Sequence, residues 1–312
     1  MRVLMRPNLE KMDGEESGIR RVLEYYYKYG NLVNIEFVDC GVDESKKYDL
    51  YAVHAGTTDK YPNDKPIVSI CHGLYWTADY DASGWEWWAN ANVIRSIKIA
   101  DVVTVPSDWV AEPIRRDARI DPIIIPHGIE IGEWEVGENQ GYVLWNKNRA
   151  ADVCIPTSVG ELARRFTGMK FVTTFALEND AGLPNVEVTG ILHHSVMKEK
   201  IRGAAVYLSS TKETFGIGTL EALASGVPVL GFAHGGNNDI VNHLVDGYLA
   251  TPGNYDHLAD GLRYVVKHRH VLSRNARTGA TRWTWENALK NLRGAFDLAV
   301  ERFEYNQRDM TI

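Results

Sequence analysis

Short apolar runs recur along this 312-residue chain, with helix-length segments between several of them, and this alternation restricts the fold more than any other feature. The first half carries runs at 1–5, 35–38, 50–53, 67–71, 102–105 and 123–125. The second carries them at 142–145, 171–175, 186–188, 206–208, 227–230 and 248–250. Strands that alternate with helices build parallel sheets covered on both faces, and such strands read as near-continuous apolar stretches. The length suits about two domains. A polar, turn-forming stretch at 137–140, just after Trp134, is a natural linker between two such halves. In open sheets of this kind ligands sit beyond the carboxyl ends of the strands. Two histidines fall at such ends, His72 after 67–71 and His127 after 123–125.

The densest chemistry lies between Ser209 and Val241. An apolar strand at 206–208 leads through a loop into a helix beginning near Phe215 and Gly216. Glu213 stands before the helix, and Glu221, eight positions on, lies about two turns into it. The amides of Phe215, Gly216 and Ile217 belong to a helix N-terminus, where free N–H groups favour an anion. Carboxylates on either side accept hydrogen bonds from hydroxyls. The combination suits a polyhydroxylated phosphate ester.

Glu213 to Glu221, read as E-x7-E and followed by Ala222, Gly226, Pro228, Val229 and Gly235-Gly236, resembles the retaining glycosyltransferases of family four, the group 1 glycosyltransferases. The resemblance implies an α/β chain of GT-B architecture, two Rossmann-like domains facing across a cleft. The first would span 1–135, with the C-terminal helix 290–312 packing back on it, and the second, 136–289, would bind the donor. It implies transfer of a sugar, a hexose on this reading, from a nucleotide diphosphate sugar, UDP-linked above other bases, to a hydroxyl of a glycan, a lipid-linked sugar or a small molecule, with retention at the anomeric carbon. No cofactor or metal is expected; the nucleotide sugar is a co-substrate.

Carried over residue by residue, the resemblance gives Glu221 the ribose hydroxyls and Glu213 the hydroxyls of the donor sugar. Asn146-Lys147-Asn148-Arg149 follows the first strand of the second half, where the family places the cations that neutralise the diphosphate. Lys147 matches the family's Arg best, and Arg149 stands in for its Lys. Gly190, Ile191 and Leu192 match the turn beneath the base. Gly18 and the helix after it match the glycine-bearing start of the first domain. His72 matches the histidine at the transferred sugar, so Glu213, His72 and Lys147 form the expected catalytic set. His127 stands where the family has Asn and is read as structural. The aromatic stretch after His72 supplies Tyr75, Trp76, Tyr80 and Trp85 as acceptor-binding candidates, since aromatic faces stack on sugar rings. Trp87 and Trp88 are assigned to the core.

Composition narrows the alternatives. A net charge of -7 argues against a general nucleic-acid binder. A DNA acceptor, a hydroxymethylated base, stays open as an alternative, with Arg20, Arg21, Arg115, Arg116 and Arg119 as candidates for a basic groove. A nucleotide-sugar epimerase or phosphorylase and a non-catalytic glycan-binding module are further alternatives. Cys40, Cys71 and Cys154 form no C-x-x-C pair and leave an odd count, which fits reduced thiols and a cytoplasmic location, with peripheral membrane attachment if the acceptor is a lipid. Asp79-Tyr80-Asp81 spells D-x-D but closes no apolar strand, and His193-His194 reads as a surface pair. No run of eighteen apolar residues is present.

Overall fold

The computed structural model of the chain describes residues 1–7, 9, 18–38, 48–57, 61, 64–74, 84–150 and 154–309. Tyr75, Trp76, Tyr80, the D-x-D stretch and Cys40 lie outside the described residues. The chain divides into two compact units, Met1–Gly128 with Trp285–Ile312, and Ile129–Thr284. The sequence reading put these divisions at 135/136 and 289/290. Trp134 explains why the first boundary comes earlier: it is fully buried in the core of the second unit, so the chain has already entered that unit before the polar stretch at 137–140.

In the first unit β1 (Arg2–Arg6), β2 (Glu36–Val38), β3 (Leu50–His54), β4 (Ile67–Ile70), β5 (Val102–Val105) and β6 (Ile123–Ile124) form a parallel sheet in the order β2-β1-β3-β4-β5-β6. β3, β4 and β5 are buried at every position, as expected for strands covered on both faces. α1 (Gly18–Tyr29) buries Val22, Leu23 and Tyr26. α2 (Trp85–Ile99) buries Glu86, Asn90, Val93 and Ile97, a stripe with the three- and four-residue spacing of one helix face. Trp87 and Trp88 fall off that stripe and are 57% and 66% exposed, which corrects their assignment to the core. α3 (Asp108–Pro113) follows β5 and is capped by Ser107, whose Oγ accepts from Val110 N–H.

In the second unit β7 (Tyr142–Trp145), β8 (Lys170–Thr173), β9 (Val186–Val188), β10 (Val206–Ser209), β11 (Val229–Phe232) and β12 (Gly247–Ala250) are again all parallel, in the order β12-β11-β10-β7-β8-β9. Counted from the first strand of the unit this is 3-2-1-4-5-6, the order of dinucleotide-binding folds, with its switch point between β7 and β10. α4 (Thr157–Arg165), α5 (His194–Gly203), α6 (Ile217–Ala224), α7 (Asn237–Ile240) and α8 (Tyr255–Ala280) connect and cover these strands. α9 (Trp285–Asp309) then belongs to the first unit. It buries Trp285, Ala288, Leu289, Leu292, Ala295, Phe296 and Ala299 along one face, and its Arg293 donates to the carbonyls of Val33 and Asn34.

A buried polar knot fixes the loop after β10. The Asn237 carboxamide donates to the carbonyls of Ser209 and Phe232, and the Ser209 hydroxyl donates to Asn237 Oδ1 at 2.9 Å and contacts Thr219 Oγ1 at 2.8 Å. A polar group buried without its partner costs about 1–3 kcal/mol. Asn237→Ala removes the three hydrogen bonds that the carboxamide makes to Ser209 and Phe232, so we expect it to lower stability by about 2 kcal/mol or more; urea unfolding with the second unit's tryptophans as probe measures this.

Candidate functional site

The candidate donor site is built at the switch point of the second sheet. β7 ends at Trp145, and the chain continues as Asn146-Lys147. Thr174, just past β8, accepts from Lys147 N–H at 2.9 Å and donates to its carbonyl at 2.8 Å, which fixes the backbone of the cation. Across the switch point, the loop after β10 carries Glu213. The Lys147 ammonium and Glu213 Oε1 meet at 2.8 Å. Both side chains are largely withdrawn from solvent, Lys147 at 9% exposure and Glu213 at 32%. Burial works against both charges. For Lys147 it is the largest single influence and pulls the pKa down, yet the Glu213 carboxylate, with Tyr207 and Cys154, more than offsets it and the net shift is upward. For Glu213 burial pushes up, and Lys147, with a further contribution from Arg149, holds the carboxyl below its ordinary range. The pair is therefore ionised at neutral pH.

Two glycines set the position of Glu213. Gly235 (φ +57°) and Gly236 pass so close that a Cβ would stand 2.3 Å from the Glu213 carbonyl and 1.8 Å from that of Phe215. Gly236 N–H donates to the Glu213 carbonyl at 2.9 Å. The loop closes at Gly216, whose φ of +104° suits glycine, and α6 begins at Ile217. Phe215 is buried with its ring edge-on to Trp283, so its amide rather than its side chain is what it can offer a ligand. On α6, Glu221 is almost fully buried.

His194, the first residue of α5, stands 3.8 Å from Glu221 Oε1 and edge-on to Trp134. It is half-buried there, which corrects its reading as a surface residue; His193 is exposed. Gly190 (φ +69°), Ile191 and Leu192 form the turn before α5, with Ile191 62% exposed and Leu192 packed on the core. Tyr207 on β10 was not anticipated. Its hydroxyl lies under α6, 2.4 Å from where a Gly218 Cβ would stand, and feels the charges of Lys147, Glu213 and Glu221. Asn146 Oδ1 is buried and accepts no hydrogen bond among the described residues. The arrangement thus gathers one cation, two carboxylates, a phenol and an unsatisfied acceptor at the strand ends, while Arg149 is exposed.

The first unit carries a second cluster. His54 ends β3, His72 lies two residues past β4, and His127 follows β6. His54 Nδ1 and His72 Nε2 are 3.0 Å apart. The His72 and His127 ring centroids are 5.8 Å apart, and His127 stacks on Trp285 at 6.2 Å. Burial lowers all three pKa values: His72 to about 4, His127, with a contribution from His72, to about 3, and His54 well below its ordinary value. The sequence reading named His72 and missed His54, although His54 also closes an apolar strand. Gly18 opens α1, and Trp85 opens α2 at 54% exposure. Tyr75, Trp76 and Tyr80 fall outside the described residues.

A sequence profile described as glycosyl transferases group 1 matches residues 175–282, which hold Glu213 and Glu221, and one described as glycosyltransferase family 4 matches residues 26–133, which hold the three histidines. The chain belongs to the group 1 glycosyltransferases. As a group 1 member it is 31% identical over 117 residues to an uncharacterized glycosyltransferase of Methanocaldococcus jannaschii, covering 36% of this chain and 30% of that protein. It is 34% identical over 111 residues to the D-inositol 3-phosphate glycosyltransferase of Geodermatophilus obscurus, covering 35% and 25%. The matches thus span about a third or less of these relatives. Two solved structures share its GT-B fold over nearly the whole chain. A glycosyltransferase from Rickettsia africae has a TM-score of 0.69 at 12% identity, covering 95% of this chain and 98% of that one. Anabaena HepE in complex with UDP-glucose has a TM-score of 0.68 at 14% identity, covering 95% and 99%.

The three neutral histidines make a prediction about acid stability. Unfolded, each titrates near its ordinary value of about 6.5; folded, His72 and His127 do so near 4 and 3. Between these values the unfolded chain binds more protons, so stability is intact above about pH 6.5 and is lost as the pH falls toward 4. The thermal midpoint measured from pH 7 to 4 should fall accordingly, and less steeply in His72→Gln. Equal slopes would mean that His72 is not held neutral.

Proposed function

We propose that this group 1 glycosyltransferase moves a hexose from a nucleotide diphosphate sugar, UDP-linked, to a hydroxyl acceptor, with retention at the anomeric carbon. The Lys147–Glu213 pair at the switch point of the second sheet carries the reading. A buried ammonium beside the N-terminus of α6 suits a diphosphate that gains charge as it departs. Glu213 then accepts hydrogen bonds from the sugar, and Glu221, with His194 beside it, accepts from the ribose. The Gly190–Leu192 backbone faces the base. Arg149, whose charge reaches Glu213, screens the outer phosphate. UDP is favoured over other nucleotides because HepE is described with UDP-glucose, and a pneumococcal O-GlcNAc transferase of the same fold with UDP and GlcNAc. Exposed Trp85 is suited to stack on a glycan acceptor.

The reaction proposed is a front-face substitution. The bond from the anomeric carbon to the phosphate oxygen breaks, the acceptor oxygen bonds to the same face, and the acceptor proton passes to the departing phosphate. Lys147 and the α6 amides supply the charge stabilisation, with no metal required by the scheme. The DNA-acceptor alternative is not carried forward. Arg115 is engaged by Asp108 and Asp121, and Arg116 by Asp117, so two of the five arginines suggested for the groove are already paired. The comparisons lend it no support. No described helix is long and apolar enough to cross a membrane.

Nucleotide release from a panel of UDP-, GDP-, ADP- and dTDP-sugars tests the proposal. One donor should be hydrolysed slowly, and Glu213→Ala should slow that release tenfold or more, a barrier increase of about 1.4 kcal/mol. Normal release by Glu213→Ala would remove Glu213 from the site. Lys147→Ala should weaken nucleoside diphosphate binding about tenfold or more by calorimetry, and unchanged binding would assign the diphosphate to another cation.

A further inference from the structure

The histidine cluster of the first unit holds one group that nothing above has given a task. His54 is fully buried at the end of β3, beside the switch point between β1 and β3. Register places His54 opposite Ile70, so His72, two residues farther along, is its diagonal neighbour. The two ring planes are 26° apart with centroids 5.3 Å apart, and Nδ1 of His54 meets Nε2 of His72 at 3.0 Å. The rings therefore meet edge to edge in a hydrogen bond rather than face to face. Both are neutral, so one nitrogen donates and the other accepts.

The rest of the site decides which. His54 Nε2 is buried and has no hydrogen-bond partner among the described residues. If His54 accepted at Nδ1, its only proton would sit on Nε2 as a buried, unsatisfied N–H, and orphaned buried N–H groups are rarer than under-satisfied acceptors. If His54 donates from Nδ1, Nε2 is left as a bare lone pair, the more tolerable arrangement. His72 Nε2 then accepts, and the His72 proton is confined to Nδ1. That nitrogen makes no hydrogen bond among the described residues, and the residue is only half-buried.

We infer that His54 is a positioning residue that fixes His72 as the Nδ1–H tautomer, so that His72 presents a neutral hydrogen-bond donor, and no acceptor, at the carboxyl edge of the first sheet. The matching ligand atom is a hydrogen-bond acceptor such as the oxygen of a sugar hydroxyl. A donor locked in this way needs no proton uptake to act. It rests on the proposed transferase reading only for the identity of that ligand; the tautomer is a property of the free protein.

Two-bond proton–nitrogen correlation spectra of the free, histidine-labelled protein read the tautomer directly, with His72→Gln and His54→Asn spectra assigning the peaks. In the wild type His72 should show a protonated Nδ1 and a bare Nε2. His54→Asn, whose carboxamide nitrogen can occupy the place of Nδ1 and donate, should keep that pattern. His54→Phe should release it, with the proton moving to Nε2 in much of the population. If donor hydrolysis is found, His54→Phe should also lower kcat about tenfold with KM within about twofold, and His54→Asn should restore most of it. A wild-type His72 protonated at Nε2, or a His54→Phe protein still fixed as Nδ1–H, would overturn the inference. Should His54→Phe fail to fold, the wild-type and His54→Asn spectra still decide. Absence of donor hydrolysis would count against the transferase reading and leave the spectra unaffected.

Discussion

Every strand pairing in both sheets is parallel, and this constraint places all the chemistry. A parallel sheet opens all its carboxyl ends at one edge, where loops leave the strands before entering helices, and a reversal of strand order spreads two of those loops apart. In the second unit the reversal lies between β7 and β10, and the loops it separates carry Lys147 and Glu213. In the first it lies between β1 and β3, and His54 closes β3. The polar side chains of interest sit at edges that the sheet itself creates.

The cost of those positions is desolvation, and each cluster meets it differently. Lys147 and Glu213 remain charged because each is the other's counterion; Lys147 without Glu213 would be a buried charge stripped of its ion pair. A diphosphate entering the site would replace the carboxylate as partner of the ammonium and free Glu213 for hydroxyls. The histidines instead give up their charge: burial keeps all three neutral, and a hydrogen bond between two of them orders the remaining protons. On the proposed reading, one site stores an ion pair for a charged group, and the other an uncharged donor for a neutral one.

The strands were legible because β-branched and aromatic runs buried on both faces leave a continuous apolar trace. Their ends were less so, for local reasons. The run at 171–175 stops as a strand at Thr173, because Thr174 turns to bind the Lys147 backbone. The run at 227–230 is strand only from Val229, because Val227 N–H closes the end of α6 on the Ala222 carbonyl. Glu213, Glu221 and Lys147 could be named as candidates because a motif or a strand end marks each. His54 and Tyr207 could not be found by motif, since their partners are set by sheet register and by α6 lying over β10, neither of which a linear spacing encodes. Trp87 and Trp88 were misplaced because hydrophobicity was read without the helix phase, which the Glu86, Asn90, Val93 and Ile97 stripe sets.

The central claim is that the ion pair at the switch point is a diphosphate site. A crystal structure of the protein soaked with a nucleoside diphosphate tests it most directly. The account predicts the phosphates between the Lys147 ammonium and the N-terminus of α6, with Glu213 turned off the lysine and the ribose against Glu221. A diphosphate bound elsewhere, with the Lys147–Glu213 contact intact, would contradict it.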